Sequence, residues 1–352
     1  MPNLKQICVF LAVIAVSVCI GFIGLFSAYG LSQGYDVPSG LYHLLQPARQ
    51  AVLDNPPVDD LPWQRISWIA DIENLALDES SGLTASHLHP DIFWSINDSG
   101  GKPILYAFDL DGMTVGEWPV AAESNIDWES MDSFVLDGVS YIAIGDTGNN
   151  FRWRRQVSIL VVKEPISLLP AANPVSIEWQ FNYRYPEGYR DSEALTVDVG
   201  AHKIYVLSKR HYPPELFSLP LQPAKQSDEA VIVAEYIAEL AGFPQPTVVE
   251  HEIDDARYKH MPGGMDLAGD RLLVSTYKHA YLFSLKDILA LPKRVRLPSI
   301  GQRESMSFGR NSESVAYFTK EREDGKGIAD LFRVELDQPS YEKMPVVATE
   351  DE

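Results

Sequence analysis

The chain has 352 residues, and its 49 Asp and Glu outnumber its 29 Lys and Arg, which gives a formal net charge of −20. Nucleic-acid binders and proteins that bind anionic lipid surfaces need clustered positive charge, so this balance argues against both classes. Apolar residues make up 45% of the chain and charged residues 22%, a composition typical of a folded globular protein with a sizeable core.

The first predicted element is an apolar segment near the N-terminus. Residues 7–31 contain no charged residue and are long enough for a helix to cross a hydrocarbon layer of roughly 30 Å. An export signal is the alternative, because residues 28–30 (Ala-Tyr-Gly) have the small-x-small pattern of a cleavage site. Lys5 precedes the segment and the next cation is Arg49, so the positive-inside tendency predicts that residues 1–6 are cytoplasmic and the large domain is extracytoplasmic.

The segments on either side of the predicted domain lack a periodic pattern. Residues 32–62 contain several prolines and little hydrophobic periodicity, which predicts a linker between the membrane and the domain. Residues 337–352 are predicted to form a disordered acidic tail. Both cysteines, Cys8 and Cys19, lie in the apolar segment, so residues 32–352 can form neither a disulfide nor a cysteine-based zinc site.

Between residues 63 and 336 the sequence predicts an all-β fold built from repeats. Short runs rich in Val, Ile, Tyr, Phe and Trp are separated by Gly, Pro, Asn and Asp, and no long stretch has a helical period. Similar units begin at five places, and further strand-like runs follow each opening run. The opening runs are ESSGLTA (79–85), DWESMDS (127–133), DSEALTV (191–197), PGGMDLA (262–268) and QRESMSF (302–308).

These repeats are typical of the blades of a β-propeller, which are four-stranded sheets of roughly 40–50 residues. The fifth unit lacks a fourth strand, and residues 64–72 form a strand-like run that belongs to no unit. We therefore predict five blades and a ring closed by this N-terminal strand, which leaves no unpaired sheet edge at the seam. Long intervals predict loop insertions at 164–175 and 238–262, and a sixth, degenerate blade within the interval that holds the second insertion is the alternative.

The opening motifs resemble a known family. From about Leu75 to Leu336 the chain resembles the extracytoplasmic propellers grouped as phytase-like, or "esterase-like activity of phytase", domains, and especially their bacterial relatives. The matching motifs are SGL with FWSINDSGG, IDWESM with IAIGDTGNN, RDSEALTVD with YVLSKR, GGMDLAGDRLLVSTYKHAYLF, and GQRESMSF. The resemblance implies a β-propeller, export from the cytoplasm and, in some members, calcium-dependent hydrolysis of phosphoesters.

The opening strands also supply candidate site residues. The first strand of each propeller blade lines the central channel, so side chains at equivalent positions of these strands converge there. Glutamates recur at one such position, and the predicted catalytic residues are Glu129, Glu193 and Glu304.

Further acidic residues at the same end of the channel predict a metal site. Many carboxylates facing one channel repel each other unless a cation, arginines or raised pKa values relieve the repulsion. Calcium prefers six to eight oxygen ligands. The predicted ligands are the three glutamates together with Asp127, Asp191 and Asp266. The alternative is structural, because each glutamate could instead accept hydrogen bonds from the next blade or pair with Arg190, Arg210 or Arg303.

The ends of the second strands are predicted to form the rim of the same site. Early units carry acidic or amide residues there and later units carry basic ones, which fits a ligand with a metal-bound or cationic part and an anionic part. Charge balance between blades is the alternative. The predicted ligand-binding residues are Asp98, Asp146, Asn149, Lys209, Arg210 and Lys278.

Two functions of different classes follow from this sequence. The first is a membrane-tethered, extracytoplasmic hydrolase that uses a divalent metal, such as calcium, on a phosphoester, ester or lactone. The second is a non-catalytic propeller that binds a small molecule or a protein partner, and the fold alone does not decide between them. The expected partners are the membrane, through the N-terminal helix, and this ligand; no nucleotide or organic cofactor is indicated, and no nucleic acid is expected.

Overall fold

The protein is a β-propeller of five blades in the part of the chain that the structure describes, and each blade is a sheet of four or five strands. In this computed structural model the described residues are 24, 26–32, 34–45, 66–169, 173–223, 231–246, 256–297, 303–310, 312–320 and 329–337. The all-β class and the five blades predicted from the repeats are confirmed.

Neighbouring strands of each four-stranded blade pair antiparallel and follow chain order outward from the channel, apart from the closing strand of blade five. Blade one contains β2 (Ser80–Ala85), β3 (Ile92–Asn97), β4 (Ile104–Asp109) and β5 (Thr114–Pro119). Blade two contains β6 (Trp128–Leu136), β7 (Val139–Asp146), β8 (Val157–Lys163) and β9 (Ile177–Arg184). Blade three contains β10 (Ser192–Asp198), β11 (Lys203–Ser208), β12 (Glu215–Pro220) and β14 (Glu235–Glu239). Blade four contains β15 (Gly264–Ala268), β16 (Arg271–Ser275), β17 (His279–Ser284) and β18 (Lys293–Arg296). Blade five contains β19 (Ser305–Gly309), β20 (Ser312–Lys320), β21 (Ala329–Glu335) and β1 (Ile66–Ile72).

The ring closes as predicted. Strand β1 pairs antiparallel with β21, so the first strand of the propeller is the outermost strand of the last blade. The alternative of a sixth blade is not found in the described residues: the long interval before blade four adds only the two-residue strand β13 (Ile232–Val233), which pairs in parallel with β9 of blade two.

The hydrophobic core is divided among the five interfaces between adjacent blades. Inner strands are buried on both faces, and for this reason they contain continuous apolar or small residues; every residue of β2 is buried. The outer strand β9 alternates buried with exposed positions instead. Between blades one and two the core is rich in tryptophan, with Trp94, Trp118 and Trp128 each at most 2% exposed.

We name the two ends of the channel by the direction of the inner strands. The upper mouth is the end at which β2, β6, β10, β15 and β19 begin, and the lower mouth is the end at which they finish. At the lower mouth two aspartates join neighbouring inner strands. Asp132 of β6 accepts hydrogen bonds from the Thr196 hydroxyl at 2.9 Å and the Val197 N–H at 2.7 Å, and Asp266 of β15 accepts the Phe308 N–H at 2.6 Å.

Part of the N-terminal segment, within the region predicted to be a linker, contacts the propeller. Residues 26–32 are helical, and helix α1 (Val37–Leu45) follows. Between them Tyr35 forms a β-bridge with Arg154 of the loop that joins β7 to β8. This bridge docks residues 34–45 on blade two. The Asp36 side chain caps the start of helix α1 by accepting the Ser39 N–H.

Several other predictions fall largely on residues that the structure does not describe. Among the described residues, no helix has the length and apolar character needed to cross a bilayer. Most of the predicted membrane segment 7–31 lies outside the described residues, as do residues 1–6, 46–62 and 338–352. The first residue of the predicted acidic tail, Asp337, is described, and it pairs with Arg271 at 2.7 Å.

We expect Asp266 to give the stability of the protein a distinct pH dependence. Burial raises the pKa of Asp266 from 3.8 to about 6. Between these values the folded chain keeps the proton and the unfolded chain loses it, so the contribution of Asp266 to the free energy of unfolding falls as pH rises from about 4 to about 6. Asp266→Asn removes this term. Thermal unfolding of the full chain in detergent between pH 4 and 8 measures this effect. The melting temperature of the variant should rise relative to that of the wild type up to about pH 6, and the difference should stay constant above that pH. Curves that stay parallel throughout would contradict this role.

Candidate cation site at the upper mouth

A β-bulge places a side chain into the upper mouth in each of the first three blades. The pairing register of β2, β6 and β10 with their neighbours shifts by one residue near the start of each strand. The extra residue is Ser81, Glu129 or Glu193, at the repeated position seen in the sequence. Bulges of this kind re-aim one side chain out of the regular alternation. In blade five Glu304 directly precedes β19 and reaches the same region.

A lysine holds two of the glutamates. The Lys209 ammonium, on the residue after β11, pairs with the Glu193 carboxylate and lies 3.1 Å from Glu304 Oε1. All three side chains are at most 9% exposed. Burial alone would lower the pKa of Lys209, but the Glu193 and Glu304 carboxylates raise it above its ordinary value. Lys209 is therefore a charged structural partner inside the mouth.

An arginine holds a further carboxylate. The Nε of Arg210 donates to Asp191 Oδ2 at 2.5 Å, and the backbone N–H of Asn149 donates to Asp191 Oδ1 at 2.7 Å. The Asn149 side-chain amide is engaged with backbone groups, including the Arg154 N–H at 2.9 Å. The Arg210 side chain remains 22% exposed at the edge of the mouth.

Three carboxylates remain after these pairs are assigned. Asp98, Asp127 and Glu129 each have an oxygen within 4.8 Å of the others. Glu129 is 1% exposed, and its Oε2 is a buried oxygen for which the described residues supply no hydrogen-bond donor. A buried acceptor without a donor is costly, because its desolvation is not repaid. We call these three residues the carboxylate triad.

The electrostatics of the triad favour a bound positive charge. Burial, followed by repulsion from Asp98 and Asp191, raises the pKa of Asp127 to about 7. Burial also raises the pKa of Glu129 well above its ordinary range, and Glu193 adds to this effect. The pKa of Asp98 is raised as well, chiefly by burial. Bound protons or a bound cation relieve the repulsion within such a cluster.

A glycine makes room for the triad. Gly148 lies in the loop GDTGNN, and a Cβ added there would overlap the carboxylates of Asp127 and Glu129. The equivalent loop of blade one contains Gly101, where an added Cβ would meet only ordinary contacts of 3.6 Å or more. The backbone at Gly148 thus forms one wall of the triad.

The residues present fit a hard divalent cation such as calcium. The triad offers carboxylate oxygens, which are the ligands that calcium prefers, and water can complete the coordination of a site open to the channel mouth. The unpartnered Glu129 Oε2 is the observation that an ion would explain. A second group of carboxylate oxygens within 4.8 Å contains Glu129, Asp191 and Glu193, so Glu129 belongs to both groups.

Other predicted site residues lie apart from the triad. Asp266 lies at the lower mouth, and the structure does not bring it together with the other predicted ligands. Asp146 pairs with Arg154 at 2.6 Å and lines a separate cavity of 390 Å³ with Tyr35. Lys278 is half-buried in the turn between β16 and β17, where its backbone N–H donates to Thr276.

Two of the three opening glutamates, Glu193 and Glu304, have the structural role given as the alternative, but with a different partner. Arg190 pairs with Glu215 rather than with an opening glutamate. Arg303 is fully buried, donates to the Tyr277 carbonyl at 3.1 Å and stacks on Phe318. Lys209 takes the role expected of these arginines for Glu193 and Glu304.

Two participants were not identified from the sequence. The Tyr277 hydroxyl donates to Glu304 Oε1, and Gly148 borders the triad. The signal for Tyr277 is its position after the second strand of blade four, two residues beyond Ser275 and next to the predicted ligand-binding residue Lys278. The signal for Gly148 was a glycine between two polar residues in a loop that already supplied candidates.

Comparisons with known proteins give a fold likeness only. No family model matches the chain, and no curated protein matches it. Among solved structures the chain is similar to glutaminyl cyclase of Myxococcus xanthus, with a TM-score of 0.44, 9% identity and coverage of 79% of this chain and 100% of that one. It is also similar to a luciferin-regenerating enzyme, with a TM-score of 0.38, 11% identity and coverage of 77% and 95%. A third similar structure is a nidogen/laminin complex, with a TM-score of 0.38, 11% identity and coverage of 69% and 73%.

We expect Lys209→Met to destabilise the fold strongly. Removing the ammonium leaves Glu193 and Glu304 buried beside each other without a counter-charge, which costs about 3–5 kcal/mol for buried pairs. Lys203→Met is the matched control, because Lys203 pairs with Glu235 at the surface, where such pairs are worth about 0–1 kcal/mol. Chemical unfolding of the full chain in detergent measures both, and equal losses would contradict the role of Lys209.

We expect Gly148→Ala to be more disruptive than Gly101→Ala, because the Asp127 and Glu129 carboxylates must move to admit the methyl group. The added methyl group overlaps two carboxylates at Gly148, and overpacking of this kind costs about 1–3 kcal/mol, whereas Gly101 has room for it. The melting temperatures of the two variants provide the measurement. Similar melting temperatures for both variants would show that the triad carboxylates do not pack closely against Gly148.

Proposed function

We propose that the protein is a membrane-tethered, extracytoplasmic β-propeller that binds a divalent cation at the upper mouth and uses it to hydrolyse a phosphoester, ester or lactone. The observation that carries the proposal is the buried, unpartnered Glu129 Oε2 within the carboxylate triad. Calcium is the proposed ion, because all the offered donors are hard oxygens. The resemblance of the opening motifs to phytase-like propellers supports the phosphoester class.

The proposed chemistry assigns separate tasks to the residues of the mouth. Asp98, Asp127 and Glu129 would hold the ion, which when bound supplies Lewis-acid polarisation of a substrate oxygen and a water of lowered pKa. Asp191 is fixed by Arg210 and the Asn149 N–H, and it lies beside Glu129.

The cations of the mouth are proposed to act unequally on a substrate. Lys209 is buried between Glu193 and Glu304, so its role is to balance charge and keep the glutamates in place. Arg210 is the more exposed cation and stacks over Tyr258 at 4.9 Å. We assign to Arg210 the binding of an anionic part of the ligand at the edge of the mouth.

The membrane attachment rests on the sequence. Residues 7–31 form an uncharged run of 25 residues, preceded by Lys5, which is long enough for a membrane anchor. We propose that this run anchors the chain with the propeller outside the cytoplasm.

A non-catalytic binding propeller is the second candidate. The observation that favours it is the engagement of Lys209 by two carboxylates, which leaves this ammonium unable to bind an anionic substrate group. In this case the bound cation would hold a ligand without turnover.

The test is a calcium titration of the full chain in detergent, followed by melting temperature. Calcium at 100 times its Kd should add about 2.7 kcal/mol to the free energy of unfolding. Glu129→Gln should weaken calcium binding at least tenfold, yet without calcium it should be no less stable than the wild type, because one repelling carboxylate is gone. Asp266→Asn, at the lower mouth, is the control and should keep the response.

The outcomes separate ligand, structural and catalytic roles. A Glu129→Gln variant that is destabilised without calcium, in a protein that calcium does not stabilise, would assign Glu129 to structure and end the proposal. If calcium binds, p-nitrophenyl phosphate and p-nitrophenyl acetate are offered with and without chelator. Turnover that chelation and Glu129→Gln both abolish supports the hydrolase. Calcium binding without turnover of either ester leaves the binding propeller.

A further inference from the structure

The predicted membrane segment ends at the upper mouth. The helical residues 26–32 belong to the end of the uncharged run, and the chain then turns sharply. The Tyr35 N–H donates to the Gly30 carbonyl at 2.8 Å and the Gly34 N–H to the Leu31 carbonyl at 3.2 Å, with Gly34 at φ 84°. This pattern closes a helix end with glycine in the left-handed region.

The next residues are fixed to the loop beside the triad. Tyr35 packs edge-on against Trp153 at 5.6 Å between ring centroids, and the Arg155 N–H donates to the Gly34 carbonyl at 3.1 Å. Asp36 Oδ2 accepts the Tyr189 hydroxyl at 3.0 Å. The same loop contains Gly148, so the docking site and one wall of the triad are a single connection between β7 and β8.

This attachment keeps the end of the helix close to the propeller. From Leu31 to Tyr35 the chain can extend over at most about 14 Å, at roughly 3.5 Å per residue. A membrane helix that ends at Leu31 would thus place the β7–β8 loop next to the bilayer surface. The lower mouth lies farther away by the length of an inner strand, which is about 20 Å for six residues at 3.3 Å each.

Exposed apolar side chains continue from the helix onto this face. Phe26, Tyr29 and Leu31 are 58%, 67% and 46% exposed. On the upper side of the propeller Phe151 and Ile126 are 45% and 47% exposed.

Apolar exposure alone does not distinguish the two ends of the propeller. Ile166, Leu289 and Leu291, in turns at the lower end, are 83%, 72% and 79% exposed. The face that lies next to a membrane is therefore set by the short connection from Leu31 to Tyr35.

We propose that the short connection holds the upper mouth against the bilayer, and that the occupant of this face is the surface of an uncharged or zwitterionic membrane. This rests on the proposed membrane attachment. The net charge of −20 disfavours an anionic surface. Ligands of the cation site are then those displayed at or moving along the bilayer, such as phosphoester headgroups, rather than solutes that arrive from the lower mouth.

The test uses the full chain in phosphatidylcholine vesicles, with Cys8 and Cys19 replaced by serine. A fluorophore is attached either through Phe151→Cys at the upper mouth or through Ala201→Cys, which is exposed in the turn between β10 and β11 at the lower mouth. Phosphatidylcholine that carries a nitroxide on its headgroup should quench the first label several-fold more than the second. Inserting ten Gly/Ser residues after Ser32 should remove most of this difference, since such a linker spans about 17 Å on average.

Flotation of the vesicles separates the two proposals. Protein that floats with the vesicles and shows preferential quenching at position 151 supports the orientation. Protein that floats but shows equal quenching at both labels, or more at position 201, overturns the orientation and leaves the anchor intact. Protein that does not float overturns the anchor and the orientation together, while the calcium titration still tests the cation site.

Discussion

Mutual repulsion among buried carboxylates is the constraint on which the upper mouth depends. Six acidic side chains approach one another there, namely Asp98, Asp127, Glu129, Asp191, Glu193 and Glu304. Bringing them together is unfavourable unless each charge is neutralised, because burial and like charges both act against ionisation. Lys209 and Arg210 neutralise Asp191, Glu193 and Glu304, whereas the carboxylate triad needs a proton or an ion. The chemistry proposed for the mouth depends on this difference between its two groups of carboxylates.

The buried carboxylates at the two ends of the channel have different surroundings. At the lower mouth Asp132 and Asp266 accept hydrogen bonds from the next inner strand, so they join blades as polar cross-links. At the upper mouth Glu129 has an oxygen with no donor among the described residues. Buried carboxylates of the inner strands thus accept hydrogen bonds between blades at the lower mouth, whereas at the upper mouth one of them has an unsatisfied oxygen.

Much of the architecture could be predicted from the sequence, because each repeated unit of the sequence forms one blade. The strand order, the closing strand at 64–72 and the convergence of the opening glutamates all follow from aligned runs. The depth of a side chain along an inner strand does not: Asp266 shares a strand with the opening motif of blade four, but two residues past its start it faces the lower mouth. Nor could the partner of each carboxylate be predicted, since Lys209 serves glutamates from blades three and five, which are far apart in the chain. The docking of residues 34–45 was missed because a short β-bridge and one capped helix give no periodic signal.

Closure of the ring by its first strand has a consequence for how the protein is made. Strand β1 has no antiparallel partner until β21 is present, and the two are separated by almost the whole domain. Contacts between such distant parts of a chain form slowly, because the loop between them must be ordered first. During synthesis the first strand would therefore remain an unpaired edge until the last blade emerges, a period in which the chain is open to misassociation.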